Sequence, residues 1–179
     1  MAPKVPVTVT GTAQVRAIDE RLILPLPEEA SAQLPSRGQV AAHAVLGGQE
    51  RDTVVEPDGR KGHWIDLDAE LVDALGASEG STVEFTLTTT KDWPEPEVPA
   101  DLAAALEDAD DLAETWPSLT PMARWEWVRW IGATRSESTR TKRVDVSIDK
   151  LRNGSRRPCC FDLSSCTDPE LARSGKLRE

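Results

Sequence analysis

Tyrosine is absent from this 179-residue chain, and phenylalanine occurs only at Phe85 and Phe161. The first absence removes the phenolic general acid from the available chemistry. Histidine is nearly as scarce, with only His43 and His63. Neither stands in a His-Glu-x-x-His pair, and no Gly-x-Ser-x-Gly elbow, phosphate-binding loop or dinucleotide fingerprint occurs. His43, inside Ala-Ala-His-Ala-Val, reads as a strand residue, and His63 beside Trp64 as a strand start. No window approaches the ~18 consecutive apolar residues that a spanning helix needs. Lys4 is not followed by an apolar leader segment, so a cytoplasmic protein with no membrane span is expected. Three cysteines, an odd number, argue against a disulfide scaffold. Cations are outnumbered, 21 against 31 acidic residues, for a net charge of −10. That balance opposes nucleic-acid binding along the whole surface.

The deficit of cations is unevenly spread. Residues 1–123 hold 8 basic against 23 acidic residues, whereas residues 124–157 hold 10 basic against 4 acidic. Such a reversal predicts two bodies with different surfaces. The basic stretch then meets an acidic partner, a phosphate-bearing ligand, or acids of the protein itself.

The first ninety residues read as short strands separated by turn chemistry. Val5, Val7 and Val9 alternate with small or polar residues, and so do Leu22, Leu24 and Leu26, where Pro25 and Pro27 restrict the segment to an edge or an end. Val40 to Leu46 leads into Gly47-Gly48, a tight turn, and Thr53 to Val55 returns the chain to Pro57-Asp58-Gly59. His63 to Leu67 is a strand, and Asp68 caps a helix that stops at Gly76. Val83, Phe85 and Leu87 alternate strictly within a Thr-rich run. About six strands with two small helices in so short a stretch favour a closed sheet, because closure removes exposed edges.

Pro94, Pro96 and Pro99 with interleaved acids form a stiff connector, and helical patterns follow. Ala100-Asp101 opens a helix with Leu102, Ala105 and Leu106, and a second short helix over Leu112 to Trp116 is expected to end before Pro117. Thr120 caps a third, with Pro121 at its first position. Met122, Trp125, Trp127, Val128, Trp130 and Ile131 fall all around that helix, which implies a buried core element, with ligand stacking as the alternative. Ser136 or Ser138 caps the next, where Val144, Ile148 and Leu151 form a narrow stripe ending at Asn153-Gly154. Arg140 lies close to that stripe and Arg143 flanks it, so each snorkels, pairs with a carboxylate, or meets an anion or partner. The expected class is α+β. A small closed or nearly closed, antiparallel-rich β-barrel spans 1–90 and a Pro/acidic linker 91–99; a helical module spans 100–154 and a cysteine-containing tail 155–179.

That tail places Cys159, Cys160 and Cys166 after Arg156-Arg157-Pro158. The flanking arginines favour a thiolate and a redox pair. Three thiolates with Asp162 or Asp168 offer a zinc site, although the spacing is not a usual structural-zinc pattern. Reduced thiols that simply pack the tail are the leading reading, ahead of the redox pair and the metal site, and no other cofactor is indicated.

Residues 97–154 resemble the YdeI/OmpD-associated, or bacteriocin-protection, family. The resemblance is carried by Val98-Pro99-Ala100-Asp101-Leu102 with Ala105-Leu106, by Ala123-Arg124 and Trp130-Ile131, and by Glu137-Ser138-Thr139-Arg140-Thr141-Lys142-Arg143-Val144 with Leu151-Arg152-Asn153-Gly154. Ala133-Thr134-Arg135 stands where a lysine is often found. The first ninety residues are similar to the small barrel domain of unknown function that often precedes this module. The resemblance implies a bacterial stress-resistance protein linked to tolerance of cationic antimicrobial peptides or envelope stress, and it implies no established catalytic site. The expectation is a non-enzymatic protection or interaction protein with a protein or cationic-peptide partner. Trp130, Thr139, Arg140 and Arg143 are the candidate partner- or anion-binding residues. The alternative is a thiol-based redox or metal-binding protein using the three cysteines.

Overall fold

Alternation starts the first strand, but later than the valines predict. In the computed structural model, which describes residues 5–158 and 167–179, β1 spans Thr8–Gln14 and Val5 is 80% exposed. Its inward side runs through Val9, Gly11 and Ala13. Small residues stand there because Gly11 lies opposite Phe85 in register, and a Cβ at Gly11 would sit 2.9 Å from Phe85 Cζ. The ring fills the space that side chains on β1 would otherwise take.

Seven strands form one antiparallel sheet: β1, β2 (Arg16–Ile18), β3 (Arg21–Pro25), β4 (Val40–Leu46), β5 (Gln49–Pro57), β6 (His63–Leu67) and β7 (Thr82–Thr89). Their order is β1-β7-β4-β5-β6-β3-β2. The two outer strands are separated only by Val15, so one bent segment pairs with β7 through its first part and with β3 through its second. The sheet thereby curls round on itself as a nearly closed barrel, as expected. Gly47 and Gly48, at φ 53° and 84°, make the β4–β5 turn, and β5 begins immediately after it rather than at Thr53. Leu24, Leu46, Ile65, Leu71, Phe85 and Leu87 fill the interior, each side chain stabilising by about 1.5–3 kcal/mol.

Two short helices complete this unit. Helix α1 (Glu28–Gln33) follows Pro27 and adds Ala30 to the core, and Leu34, which ends it, joins the same core. Helix α2 (Ala69–Leu75) has Asp68 as its cap, accepting from the Leu71 amide, and ends at Gly76 in the left-handed region. The described residues up to Pro94 form the first compact unit, and Leu177–Glu179 also belong to it. The Leu177 amide donates to the Asp58 carbonyl at 2.9 Å, and Arg178 pairs with Asp19 at 2.5 Å.

The second unit runs from Glu95 to Lys176. It contains α3 (Ala100–Glu107), a 3₁₀ turn (Asp110–Leu112), α4 (Thr115–Ser118), α5 (Pro121–Gly132) and α6 (Glu137–Arg152). A hairpin of β8 (Ala172–Arg173) and β9 (Lys176–Leu177) comes near the end of the chain. The expected helix over Leu112 to Trp116 is instead split into the 3₁₀ turn and α4, and Pro117 lies inside α4. A proline is tolerated there because first-turn amides have no intrahelical partner. Thr120 and Ser136 cap α5 and α6 by accepting from Ala123 and Thr139. Trp127 is fully buried with Leu112, Leu119 and Leu151, while Leu102, Ile131 and Val144 pack as a neighbouring cluster. No described helix is long and apolar enough to cross a membrane.

Candidate functional site

The tryptophan-rich helix and the arginine-rich helix meet at Trp130. Helix α5 buries Trp127, whose indole N–H donates to the Arg156 carbonyl at 3.1 Å, and sets Trp130 edge-on to it with ring centroids 6.5 Å apart. Helix α6 brings the Arg143 guanidinium to 5.3 Å from the Trp130 ring centroid and the Lys150 ammonium to 5.9 Å. Arg143 also donates to the Trp130 carbonyl at 2.6 Å, and Lys150 donates to the Pro158 carbonyl. Both cations thus lie against one indole, an arrangement that fixes the α5–α6 contact electrostatically.

Arg140 is held differently. Its Nε and Nη2 donate to the two carboxylate oxygens of Asp101 at 2.5 and 3.0 Å, a bidentate fork joining the starts of α3 and α6. Those hydrogen bonds hold the Asp101 carboxyl below its ordinary pKa and raise that of Arg140. Arg152 grips Asp111 in the same way, and Arg157 pairs with Glu126 at 2.9 Å. Cations of the basic stretch therefore meet acids of their own unit. Thr139 is half-buried, and its amide donates to the capping Ser136 hydroxyl. The structure brings Trp130 and Arg143 into contact, while Arg140 is engaged with Asp101 and Thr139 serves the helix start. Cys159, Cys160 and Cys166 lie outside the described residues. Among the described residues, no group of three His, Cys, Asp or Glu side chains is placed to hold a metal ion.

Arg124 is a structural anchor that no sequence motif marks as a site residue. It is 8% exposed on α5. Its Nη1 donates to the carbonyls of Leu119, Trp116 and Pro117 at 2.5, 3.3 and 3.2 Å, and its Nε and Nη2 clasp Glu95 at 2.9 and 2.5 Å. One guanidinium thus satisfies carbonyls left open where α4 ends. The available signal was an arginine next to Ala123 near the start of a helix whose other faces are apolar.

The first unit presents a different surface. Four of its arginines pair with acids, Arg21 with Asp66, Arg51 with Asp68, Arg60 with Glu179 and Arg178 with Asp19, while Arg16 and Arg37 donate to the carbonyls of Arg178 and Lys61. Glu20, Glu28, Glu29, Glu50, Glu79 and Glu84 are exposed without an ion pair among the described residues. His43 lies on the outer face of β4 and pairs with Asp52 at 3.0 Å. His63 is 2% exposed, and its Nε2 lies 3.1 Å from the Gly38 carbonyl while Nδ1 has no partner among the described residues. Burial lowers its pKa from the ordinary value near 6.5. A cleft of about 730 Å³ opens between Thr12–Arg16 of the bent first strand and Pro25–Pro27, with Glu79 and Gly80 beside it.

These features define an α+β protein in which an acidic, nearly closed barrel precedes a helical module tied together by arginines. Residues 95–154 match the family model described as bacteriocin-protection, YdeI or OmpD-associated, and residues 4–87 match that of a domain of unknown function, DUF1905. The helical unit is thus similar to YdeI/OmpD-associated proteins over residues 95–154, and the barrel to DUF1905 domains. No curated protein matches the chain.

Proposed function

We propose that this protein is a non-enzymatic interaction protein that protects by binding cationic peptides. The supporting observation is the surface of the barrel unit, where four of the six arginines are spent on ion pairs and several glutamates face solvent without one. A field of one sign concentrates ligands of the other and speeds their encounter. The family description matched by the helical unit names bacteriocin protection, which agrees with a peptide ligand. In this reading the barrel attracts the peptide, and the helical module offers a partner the edges of its tryptophans with Arg140 and Arg143.

The test is titration of a fluorescent lysine-rich peptide into the whole protein at low salt. Saturable binding is expected, and it weakens when Glu28, Glu29, Glu79 and Glu84 are changed together to glutamine. Absence of binding at low salt refutes the reading, as does binding untouched by the four neutralisations.

A further inference from the structure

The barrel wall carries a gap with an unpaired strand edge. Odd-numbered residues of β1 hydrogen-bond to β7: the Val7 carbonyl accepts from Thr89 and the Val15 amide donates to Ser81, which bracket the register Val9–Leu87 to Ala13–Val83. By the two-residue period of a strand, the backbone N–H and C=O groups of Thr10, Thr12 and Gln14 face the other side. Among the described residues those groups have no hydrogen-bond partner. Across from them β3 pairs with β2 only as far as Arg16–Ile23, then follows β6, with the Leu26 amide bound to the His63 carbonyl. The two strands diverge, and the cleft of about 730 Å³ fills the angle between them. That size lies within the range of about 300–1,000 Å³ common for ligand sites.

The two walls differ in what they offer. Thr12 and Gln14 present free donors and acceptors on a strand with neither proline nor lysine to blunt it. Such an edge is a template for an added strand. The facing wall contains Pro25 and Pro27, which have no amide hydrogen with which to compete for those acceptors. Acidic residues line the opening or adjoin its lining in sequence or register. Glu79 lines it, Glu28 and Glu29 directly follow Pro27, and Glu84 is opposite Thr12 in register. Arg16 is the cation of the lining, and its guanidinium donates to the Arg178 carbonyl at 2.5 Å.

We infer that this gap takes an extended, basic peptide as an added strand on β1, its backbone bonded to Thr12 and Gln14 and its cationic side chains reaching the flanking glutamates. The inference rests on the peptide-binding function proposed above and gives that function a place. The experiment uses the whole protein and a short synthetic peptide of alternating lysine and valine. It is compared with the same peptide N-methylated at alternate backbone amides, in both registers. Methylation keeps the charge and removes the donors of one edge.

The expected result is affinity lower by about tenfold or more for one methylated register, with slowed hydrogen exchange at the Thr12 and Gln14 amides when the unmethylated peptide is added. Equal binding of all three peptides, or unchanged exchange at both amides, overturns strand addition while leaving electrostatic capture intact. No binding of the unmethylated peptide at low salt overturns the proposed function as well.

Discussion

Replacing Arg124 by methionine is expected to destabilise the helical unit far more than replacing its ion-pair partner Glu95 by glutamine. The difference follows from where the two ends of the interaction lie. The Arg124 side chain is 10% exposed, whereas that of Glu95 is 65% exposed. Solvent already screens the carboxylate, so loss of its charge costs below about 1 kcal/mol. Loss of the guanidinium strips the donor from the carbonyls of Leu119, Trp116 and Pro117, of which the bond to Leu119 is buried. Each buried group left without a partner costs about 1–3 kcal/mol. Two of the three contacts are longer than 3 Å and only part-buried, so the sum falls near 3–4 kcal/mol. Urea unfolding followed by tryptophan fluorescence reads this unit well, because it holds Trp116, Trp125, Trp127 and Trp130. Equal losses for Arg124→Met and Glu95→Gln would refute the carbonyl-capping account and make the ion pair the dominant contact.

Two further perturbations test the barrel unit. Gly11→Ala is expected to cost about 1–3 kcal/mol through overpacking, because the new Cβ meets the Phe85 ring at 2.9 Å; an unchanged or raised melting temperature would mean that the ring yields. Burial lowers the pKa of His63 below its ordinary value near 6.5, so its contribution to stability is complete above about pH 6.5 and is lost as pH falls below that. The melting temperature is expected to drop between pH 7.5 and pH 5 and to drop less in His63→Gln, whose amide still supplies a donor; parallel profiles for the two proteins would exclude His63 as the cause.

Elements that end in specific chemistry were legible in the sequence. Asp68 with Gly76, Thr120 with Pro121, and Ser136, one of two serines the sequence offers with Ser138, each set a helix boundary that the structure keeps, because cap and turn preferences act within a few residues. The strict alternation around Phe85 likewise gave β7. The first strand was harder to read, since its inward positions Gly11 and Ala13 are small for the sake of a ring on another strand. That requirement is tertiary and leaves no local pattern. The same holds for Leu177–Glu179, which join the barrel unit through bonds to Asp58 and Asp19 more than a hundred residues away. Among the candidate site residues, the indole of Trp130 and the cation of Arg143 come together as neighbours on facing helices. For Arg140 the sequence left a carboxylate or an external anion open, and only the packing of α3 on α6 supplies Asp101. The role of Arg124 leaves no local pattern, because its partners are backbone carbonyls and an acid 29 residues earlier.

The central claim is that the acidic barrel unit captures cationic peptides by its field, and salt addresses it most directly. Affinity of the whole protein for a lysine-rich peptide should be measured from about 0.01 M to about 1 M salt, over which the screening length shrinks from about 30 Å to about 3 Å. The account requires the dissociation constant to rise steeply across that range; a constant affinity would contradict it.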